Sequence, residues 1–293
     1  MYIYCGLVPG MKRKRDAMGA TLSKEPPVRM ARPSDEIAST SSSDGYMFPL
    51  PLDIVEEIFL NLPPVEVVRT CRLVCSQWKE VADSESLWKE RCRREGYRPR
   101  DASSISKDWR LFFFLCKQRR NLIKNPRAEY KMQGWHLLEN GGDKWKVEGV
   151  MAPHPNEAVQ KNFVTSYVMC KKTQLINLTK EGYNPSFMDH FQPDIRISDW
   201  YAPRFDCGCE YDICVELLNQ NKRPIQTFDP ETIYFEQWSD KQWNQITHVF
   251  RNYGPGVRYI RFTHGGKDTQ FWAGWYGIRV TDSCVEICPA EDR

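Results

Sequence analysis

The sequence predicts an α+β protein of several domains. A small all-α unit comes first, then a linker helix, then a larger antiparallel β-sandwich, all behind a disordered N-terminal tail. Three observations lead there. Apolar residues recur at helical spacing from Phe48 to Gly96. Short β-favouring runs separated by turn signals fill the chain beyond Pro126. The opening segment shows little apolar periodicity of either kind. The boundaries drawn are 1–46 for the tail, 47–96 for the helical unit, 97–112 for the linker and 113–293 for the sandwich. A length of 293 residues accommodates two such folded domains.

The tail holds the basic cluster Lys12 to Arg15, Pro26-Pro27 and the polar run Ser39 to Ser43, a composition that cannot bury enough apolar surface to order itself. Four basic residues in such a tail read as solvated charge rather than an import signal. Met18-Gly19-Ala20-Thr21-Leu22-Ser23 fits an N-myristoylation pattern at Gly19 only if translation begins at Met18. As an internal segment it reads as coincidence, and a single acyl chain would give only reversible membrane attachment.

In PLPLDIVEEIFLNLPP, Leu50, Ile54, Ile58 and Leu62 recur every four residues, with Asp53, Glu56, Glu57 and Asn61 on the other face. Acidic residues in the opening turns suit the positive end of the helix dipole, and Pro63-Pro64 ends the helix. VEVVRTCRLV, SQWKEVA and SESLWKERCRREGY continue the helical pattern, with Ser84 as N-cap and Gly96 as terminator. Helices this short bury little surface alone, so their remaining apolar faces require a partner or a neighbouring domain.

Residues 107–124 read as one further helix, with Trp109, Phe112, Phe113, Cys116 and Leu122 on its apolar side, Arg119, Arg120 and Lys124 toward solvent, and Asn125-Pro126 closing it. Beyond it come the strand candidates WKVEGV, TQLINL, DIRISDWYA, YDICVELL, TIYFEQW, THVF, RYIRFTH and WYGIRVTDSCVEICP. The turn candidates are Asn140 to Asp143, Asn219 to Asn221, Tyr253 to Gly256 and Gly265 to Asp268. Many short strands with this punctuation make an antiparallel sandwich.

The net charge of +3 is too small for a dedicated nucleic-acid binder. No apolar run approaches the roughly 20 residues of a membrane span, so no transmembrane segment is expected. The eleven cysteines are odd in number. Cys71-x3-Cys75 and Cys207-Gly208-Cys209 lack the paired spacing or companion histidines of a zinc site, so the thiols read as reduced and mostly buried, with no metal and no cofactor. The sequon Asn177-Leu178-Thr179 would matter only in a secreted chain.

Leu50-Pro51 through Trp88 resembles an F-box, on the Leu-Pro opening of LPLDIVEEIFLNLP, on CRLVCSQWKEV, and on the closing LWKERC. The resemblance implies docking on a Skp adaptor and, through it, on the cullin of an SCF ubiquitin ligase. Leu50, Pro51, Ile54 and Ile58 match the positions that insert into the adaptor, with Val74 and Trp78 shared between core and interface.

From Trp109 to Pro289 the chain is similar to the F-box-associated domain of the sugar-recognising F-box proteins. The matching stretches include RRNLIKNP, NGGDKWKVE, PDIRISDWYAPRFDCGCEY and YGPGVRYIRFTHGGKDTQFWAGWYG. That family's sandwich holds the inner chitobiose of high-mannose N-glycans in loops at one end. Aromatic rings suit this task, because a pyranose presents a face of C–H groups that a ring can cover. Carried over, Trp272 matches the tryptophan that stacks on N-acetylglucosamine, and Tyr167 matches a phenylalanine that completes the pocket. Phe271 stands where a glycan binder has tyrosine, and Ala273 where well-studied binders have lysine. Strand alternation would set Trp272, Gly274, Tyr276 and Ile278 on one side and Phe271, Ala273, Trp275 and Gly277 on the other. On that reading Trp275 and Tyr276 pack in the core, while Phe271 and Trp272 emerge at the loop end after a turn at Gly265 to Asp268.

The resemblance therefore implies a non-catalytic, cytoplasmic receptor working at the endoplasmic reticulum surface, which delivers misfolded N-glycosylated proteins for ubiquitination. An alternative within the class is an SCF receptor that reads a protein degron instead of a glycan. A glycoside hydrolase would need two carboxylates across one bond. Asp189, Asp194, Asp199, Asp206 and Asp268 are candidates by type only, with no spacing that commits a pair.

Overall fold

The computed structural model describes residues 50–99 and 108–289. The expectations for the tail, including its basic cluster and Gly19, lie outside them.

The helical unit is built from α1 (Leu52–Asn61), α2 (Pro64–Arg69), a 3-10 turn (Cys71–Leu73), α3 (Ser76–Asp83) and α4 (Glu85–Arg94). Its core takes Val55 and Phe59 from α1, Val67 from α2, Val81 and Ala82 from α3, and Leu87, Trp88 and Cys92 from α4. The Ser84 hydroxyl caps α4 by accepting from the Leu87 amide at 3.4 Å, and Gly96 leaves the helix at φ +77°. Trp88 sits fully buried with its indole N–H donating to the Ala82 carbonyl at 2.9 Å. The Arg91 guanidinium reaches the end of α1 and donates to the carbonyls of Phe59 and, at 2.6 Å, Leu62. These carbonyls stand at the C-terminal end of α1, where a cation is favoured by the helix dipole.

α5 spans Trp109–Gln118 and is shorter than the helix expected over 107–124. It opens with the Asp108 carboxylate accepting from the Leu111 amide at 2.8 Å. At Arg119 the backbone turns extended (φ −58°, ψ 121°). The following residues stop hydrogen-bonding to themselves and pair with a sandwich strand instead. The Leu122 amide donates to the Val285 carbonyl at 2.8 Å, and the Asn121 side chain bonds the Ser283 carbonyl and the Val285 amide. Arg119 and Arg120 face solvent as expected, and each is also ion-paired, to Glu286 and Glu181. Phe112 and Phe113 belong to the helical core while Leu115, Leu122 and Ile123 belong to the sandwich core. α5 and the segment that follows it thus contribute to both cores.

The sandwich strands are β1 (His136–Asn140), β2 (Lys146–Gly149), β3 (Lys161–Val164), β4 (Cys170–Asn177), β5 (Asp194–Ala202), β6 (Cys209–Leu218), β7 (Pro224–Phe228), β8 (Ile233–Phe235), β9 (Asn244–Phe250), β10 (Tyr259–Asp268) and β11 (Arg279–Cys288), with α6 (Pro185–Phe191) before β5. One sheet runs β1-β4-β10-β6-β7, with β8 also on β6. The other runs β2-β3-β11-β5-β9, and all pairings are antiparallel. Alternation is clear along β6, where Cys209, Tyr211, Ile213 and Val215 point inward.

Two expectations about the aromatic stretch are corrected. Gly265 to Asp268 is not a turn but the end of β10. A Cβ on Gly265 would lie 2.0 Å from the Cys170 carbonyl oxygen, and one on Gly266 1.9 Å from that of Glu210. The glycines let neighbouring strands close on a central one. Residues 271–278 form no strand, so the expected alternation does not apply, and Trp275 and Tyr276 are half-buried in a loop rather than packed in the core.

A polar chain crosses the sandwich interior. Lys172 on β4, wholly buried, donates to His264 Nε2 at 2.6 Å, and His264 Nδ1 donates to Asp199 on β5 at 2.5 Å. Asp199 also accepts from the Tyr211 hydroxyl at 2.6 Å and the Ser283 hydroxyl at 2.7 Å. Burial lowers the Lys172 pKa and the Asp199 charge opposes this; with Lys172 donating to Nε2 and Asp199 accepting from Nδ1, the imidazole is neutral with its proton on Nδ1. The Lys172 ammonium nitrogen lies 3.3 Å from the Trp135 ring centroid and 3.7 Å from that of Phe163, where ring quadrupoles replace part of its lost hydration.

Burial, opposed by Asp199, holds the His264 pKa down at about 4. In the unfolded chain a histidine titrates near about 6.5. His264 therefore contributes stability that is complete above that value and drains away as the pH falls toward 4, by up to about 1.4 kcal/mol per pH unit for one proton. Burial shifts His154 and His248 in the same direction, so only a difference isolates His264. Denaturant unfolding between pH 7 and 5 should show a smaller loss of stability for His264→Gln than for the wild type, although the variant starts less stable. Equal losses would contradict the neutral-imidazole assignment.

Candidate functional site

The strand register gathers five connections at one end of the sandwich. Asn140, Cys170 and Gly266 are in register there in one sheet, as are Val164, Arg279 and Ala202 in the other. The β1–β2, β3–β4, β5–β6, β8–β9 and β10–β11 connections therefore emerge together.

The β10–β11 connection is organised by Asp268. Its Oδ1 accepts from the backbone amides of Gln270 at 3.0 Å, Phe271 at 2.5 Å and Trp272 at 3.3 Å. Burial raises its pKa, and the three amide bonds act against that rise. This brace holds Phe271 at φ +57°, a left-handed conformation unusual for a bulky residue. Phe271 is consequently 72% exposed and Trp272 39% exposed. The Tyr167 ring meets Phe271 edge-on at 5.1 Å, and Tyr276 meets Trp272 edge-on at 5.5 Å. The Asp143 carboxylate accepts from the Gly274 amide at 2.7 Å, the Ser166 hydroxyl donates to the Gly274 carbonyl at 2.6 Å, and the Trp275 indole donates to the Lys144 carbonyl at 3.1 Å. Three connections are thereby stapled into one surface.

Tyr167, Phe271, Trp272 and Ala273 fall together on that surface, with Ala273 exposed beside Trp272. Sequence reasoning took Asp268 for a carboxylate of unassigned use and missed its bracing role. An Asp followed by three residues whose amides it can reach is the Asx-type pattern that could have revealed it. The other carboxylates considered for hydrolysis are committed to partners: Asp189 to Arg258, Asp194 to Arg251, Asp206 to Arg204, and Asp199 to the buried chain. Among the described residues no group of His, Cys, Asp and Glu has a metal-binding arrangement, and no helix is long and apolar enough to cross a membrane.

A second surface lies on the helical unit. Ile54 is 46% and Val74 59% exposed, and Leu50, Pro51 and Ile58 are exposed as well. Trp78 is half-buried, edge-on to Phe59 at 5.3 Å. Leu52 and Leu73, not singled out from sequence, are exposed in the same unit. The α1 residues that fill the core are Val55 and Phe59, so the Leu50–Ile54–Ile58 row is left on the outside. Contiguous exposed aliphatic residues of this kind mark an interaction surface.

Comparison with known proteins matches two family models in the same order. An F-box-like model covers residues 48–94, and an F-box associated region covers residues 113–287. F-box only protein 6 of Bos taurus is 49% identical over 242 residues, spanning 81% of this chain and 91% of that protein. F-box only protein 44 of Homo sapiens is 46% identical, spanning 84% and 98%. F-box only protein 2 of Bos taurus is 41% identical, spanning 88% of each. The helical unit with its exposed aliphatic row and the sandwich behind it are those of this family: the chain belongs to the F-box only proteins that carry an F-box associated region, a class of substrate-recognition subunit of SCF ubiquitin ligases.

Proposed function

We propose that the chain binds the chitobiose core of N-linked high-mannose glycans on misfolded glycoproteins, and presents those proteins for ubiquitination in endoplasmic-reticulum-associated degradation. The observation that carries the reading is the Asp268 brace, which spends a buried carboxylate on holding Phe271 and Trp272 out toward solvent. Large rings are normally drawn inward, and a loop that holds them outward in a strained conformation is arranged for a ligand. The Trp272 ring supplies the stacking face for a pyranose, Phe271 and Tyr167 form the flanking wall, and neighbouring backbone groups meet the hydroxyls. The chain itself performs no chemistry; the transfer of ubiquitin belongs to other subunits. The work is cytoplasmic, at the face of the endoplasmic reticulum.

On the helical unit, Leu50, Pro51, Ile54 and Ile58 insert into the Skp adaptor, with Val74 and Trp78 at the edge of the contact, and the adaptor carries the cullin.

Phe271 lacks a phenol hydroxyl and Ala273 lacks a side-chain donor. Each missing hydrogen bond costs about 1 kcal/mol net, roughly a five- to tenfold loss of affinity. Titration of the chain, held in complex with its adaptor, with a soluble chitobiose-core glycan should give saturable binding that is abolished by Trp272→Ala. Ala273→Lys should tighten it about fivefold. Saturable binding that survives Trp272→Ala would take the stacking role from Trp272, and no binding by folded protein would remove the glycan reading and favour a protein degron. On the other surface, Ile54→Asp with Ile58→Asp should abolish co-purification with the adaptor while thermal unfolding stays within a few degrees. Unimpaired co-purification would place the adaptor contact elsewhere.

A further inference from the structure

Arg279 opens β11 between the core residues Ile278, just before the strand, and Val280, so its side chain points to the outer face of the five-stranded sheet. There it is covered so completely that it is only 2% exposed. Its Nη1 donates to the Gly277 carbonyl at 3.3 Å. Its Nε lies 2.8 Å from Glu148 Oε1, close enough for an ion pair but not aligned as a hydrogen bond. Nη2 has no partner among the described residues. A buried donor left unpaired is costly, and more so on a charged group.

Arg279 is one of the residues lining a cavity of about 60 Å³, together with Arg204, Lys241, Phe205, Trp243 and Met151. The cations outnumber the acids. Arg204 is held by Asp206 at 2.6 Å, Arg279 faces Glu148, and Lys241 adds a further positive charge to the lining. Burial pulls the Arg279 pKa down and Glu148 pulls it back up, so a second anion would further favour its charged form.

The size of the cavity limits the ligand. Pockets that enclose a whole small molecule run to several hundred Å³, whereas this one admits a head group carried on a tether. A planar carboxylate matches the geometry of a guanidinium edge. The rim indicates what the tether is. Phe205 lines the cavity and is partly exposed, and the Trp238 ring lies 6.2 Å from it and is 70% exposed. Trp238 has φ +69°, so a second bulky residue at this end of the sandwich is held outward in a left-handed conformation. An acidic group beside an apolar one, both on a flexible backbone, is what an unfolded polypeptide segment offers.

We propose that this cavity is a carboxylate-binding subsite for the polypeptide part of the substrate: an Asp or Glu side chain enters toward Arg279, Arg204 and Lys241 while an adjacent apolar side chain lies on the Phe205–Trp238 pair. The subsite connects to the aromatic platform, since the Arg204 guanidinium lies 4.4 Å from the Tyr276 ring centroid and Tyr276 abuts Trp272. It goes beyond the glycan reading and does not depend on it.

The test uses the full chain with its adaptor and a labelled unstructured heptapeptide with a central Leu-Glu, alongside its Leu-Gln twin. The Glu peptide should bind saturably and the Gln peptide at least tenfold more weakly. Arg279→Lys, which removes the unpaired Nη2, should cost the Glu peptide about tenfold. Lys241→Gln, on an exposed residue that leaves the fold alone, should cost it about fivefold and leave chitobiose affinity unchanged. Phe205→Ser should weaken both peptides alike. Equal affinity for the two peptides, or no saturable binding of either by folded protein, would overturn the proposal. Free acetate or glucuronate displacing the peptide at matching affinity, with Phe205→Ser indifferent, would overturn the assignment to polypeptide in favour of a free or sugar-borne carboxylate.

Discussion

The sandwich depends on one buried carboxylate. Asp199 on β5 accepts from Tyr211 on β6, Ser283 on β11 and His264 on β10, and His264 links it to Lys172 on β4. Those strands belong to both sheets, so the chain of bonds fixes how one sheet faces the other. A buried ion pair is not itself a strong source of stability, because desolvation offsets most of the attraction. What it supplies is a geometry that cannot slip, since a shift of one residue in any of these strands would leave a charged group unpaired in the core. The rings of Trp135 and Phe163 over the ammonium complete that environment.

That fixed frame sets the position of the loop end. His264 and Asp268 lie four residues apart on β10, so the strand anchored in the core by one ends in the brace formed by the other. The glycines between them let β4 and β6 close on β10 without strain from side chains. The loop after Asp268 is then held to the β1–β2 and β3–β4 connections through Asp143, Ser166 and Lys144. At the opposite end of the molecule, α5 carries phenylalanines of the helical core and Leu115 of the sandwich core on a single helix. The helical core and the sandwich core are therefore joined through one packed helix.

Much of this was legible in the residues. The cap at Ser84, the terminator at Gly96 and the long alternating strands from Asp194, Tyr211 and Arg258 onward follow from local chemistry that tertiary packing did not override. The failures are equally physical. α5 stops at Gln118 because the next residues gain bonds to β11, a long-range pairing that no window on the sequence can see. β1, β3, β7 and α6 went unnoticed; β1 and β7 lie at a sheet edge where inward alternation is weak. Gly265-Gly266 looked like a turn because glycine marks both tight turns and close strand approach, and only the neighbouring carbonyls decide between them. The misplaced turn carried the error into the aromatic stretch, yet Phe271 and Trp272 were still assigned to the loop end while Trp275 and Tyr276 were put in the core. The Arg279 cavity left no trace in the sequence, since an arginine at a strand start reads as solvent-facing until the fold covers it.

The central claim is that the rings braced by Asp268 select the protein that the ligase modifies. The most direct measurement is the rate of ubiquitin transfer, in a reconstituted ligase containing this chain, to a denatured glycoprotein carrying chitobiose-core glycans and to the same protein after deglycosylation. The account predicts faster modification of the glycosylated form, with the advantage lost on Trp272→Ala while assembly with the adaptor is unaffected. Equal rates on the two substrates, or an advantage that persists in the variant, would contradict it.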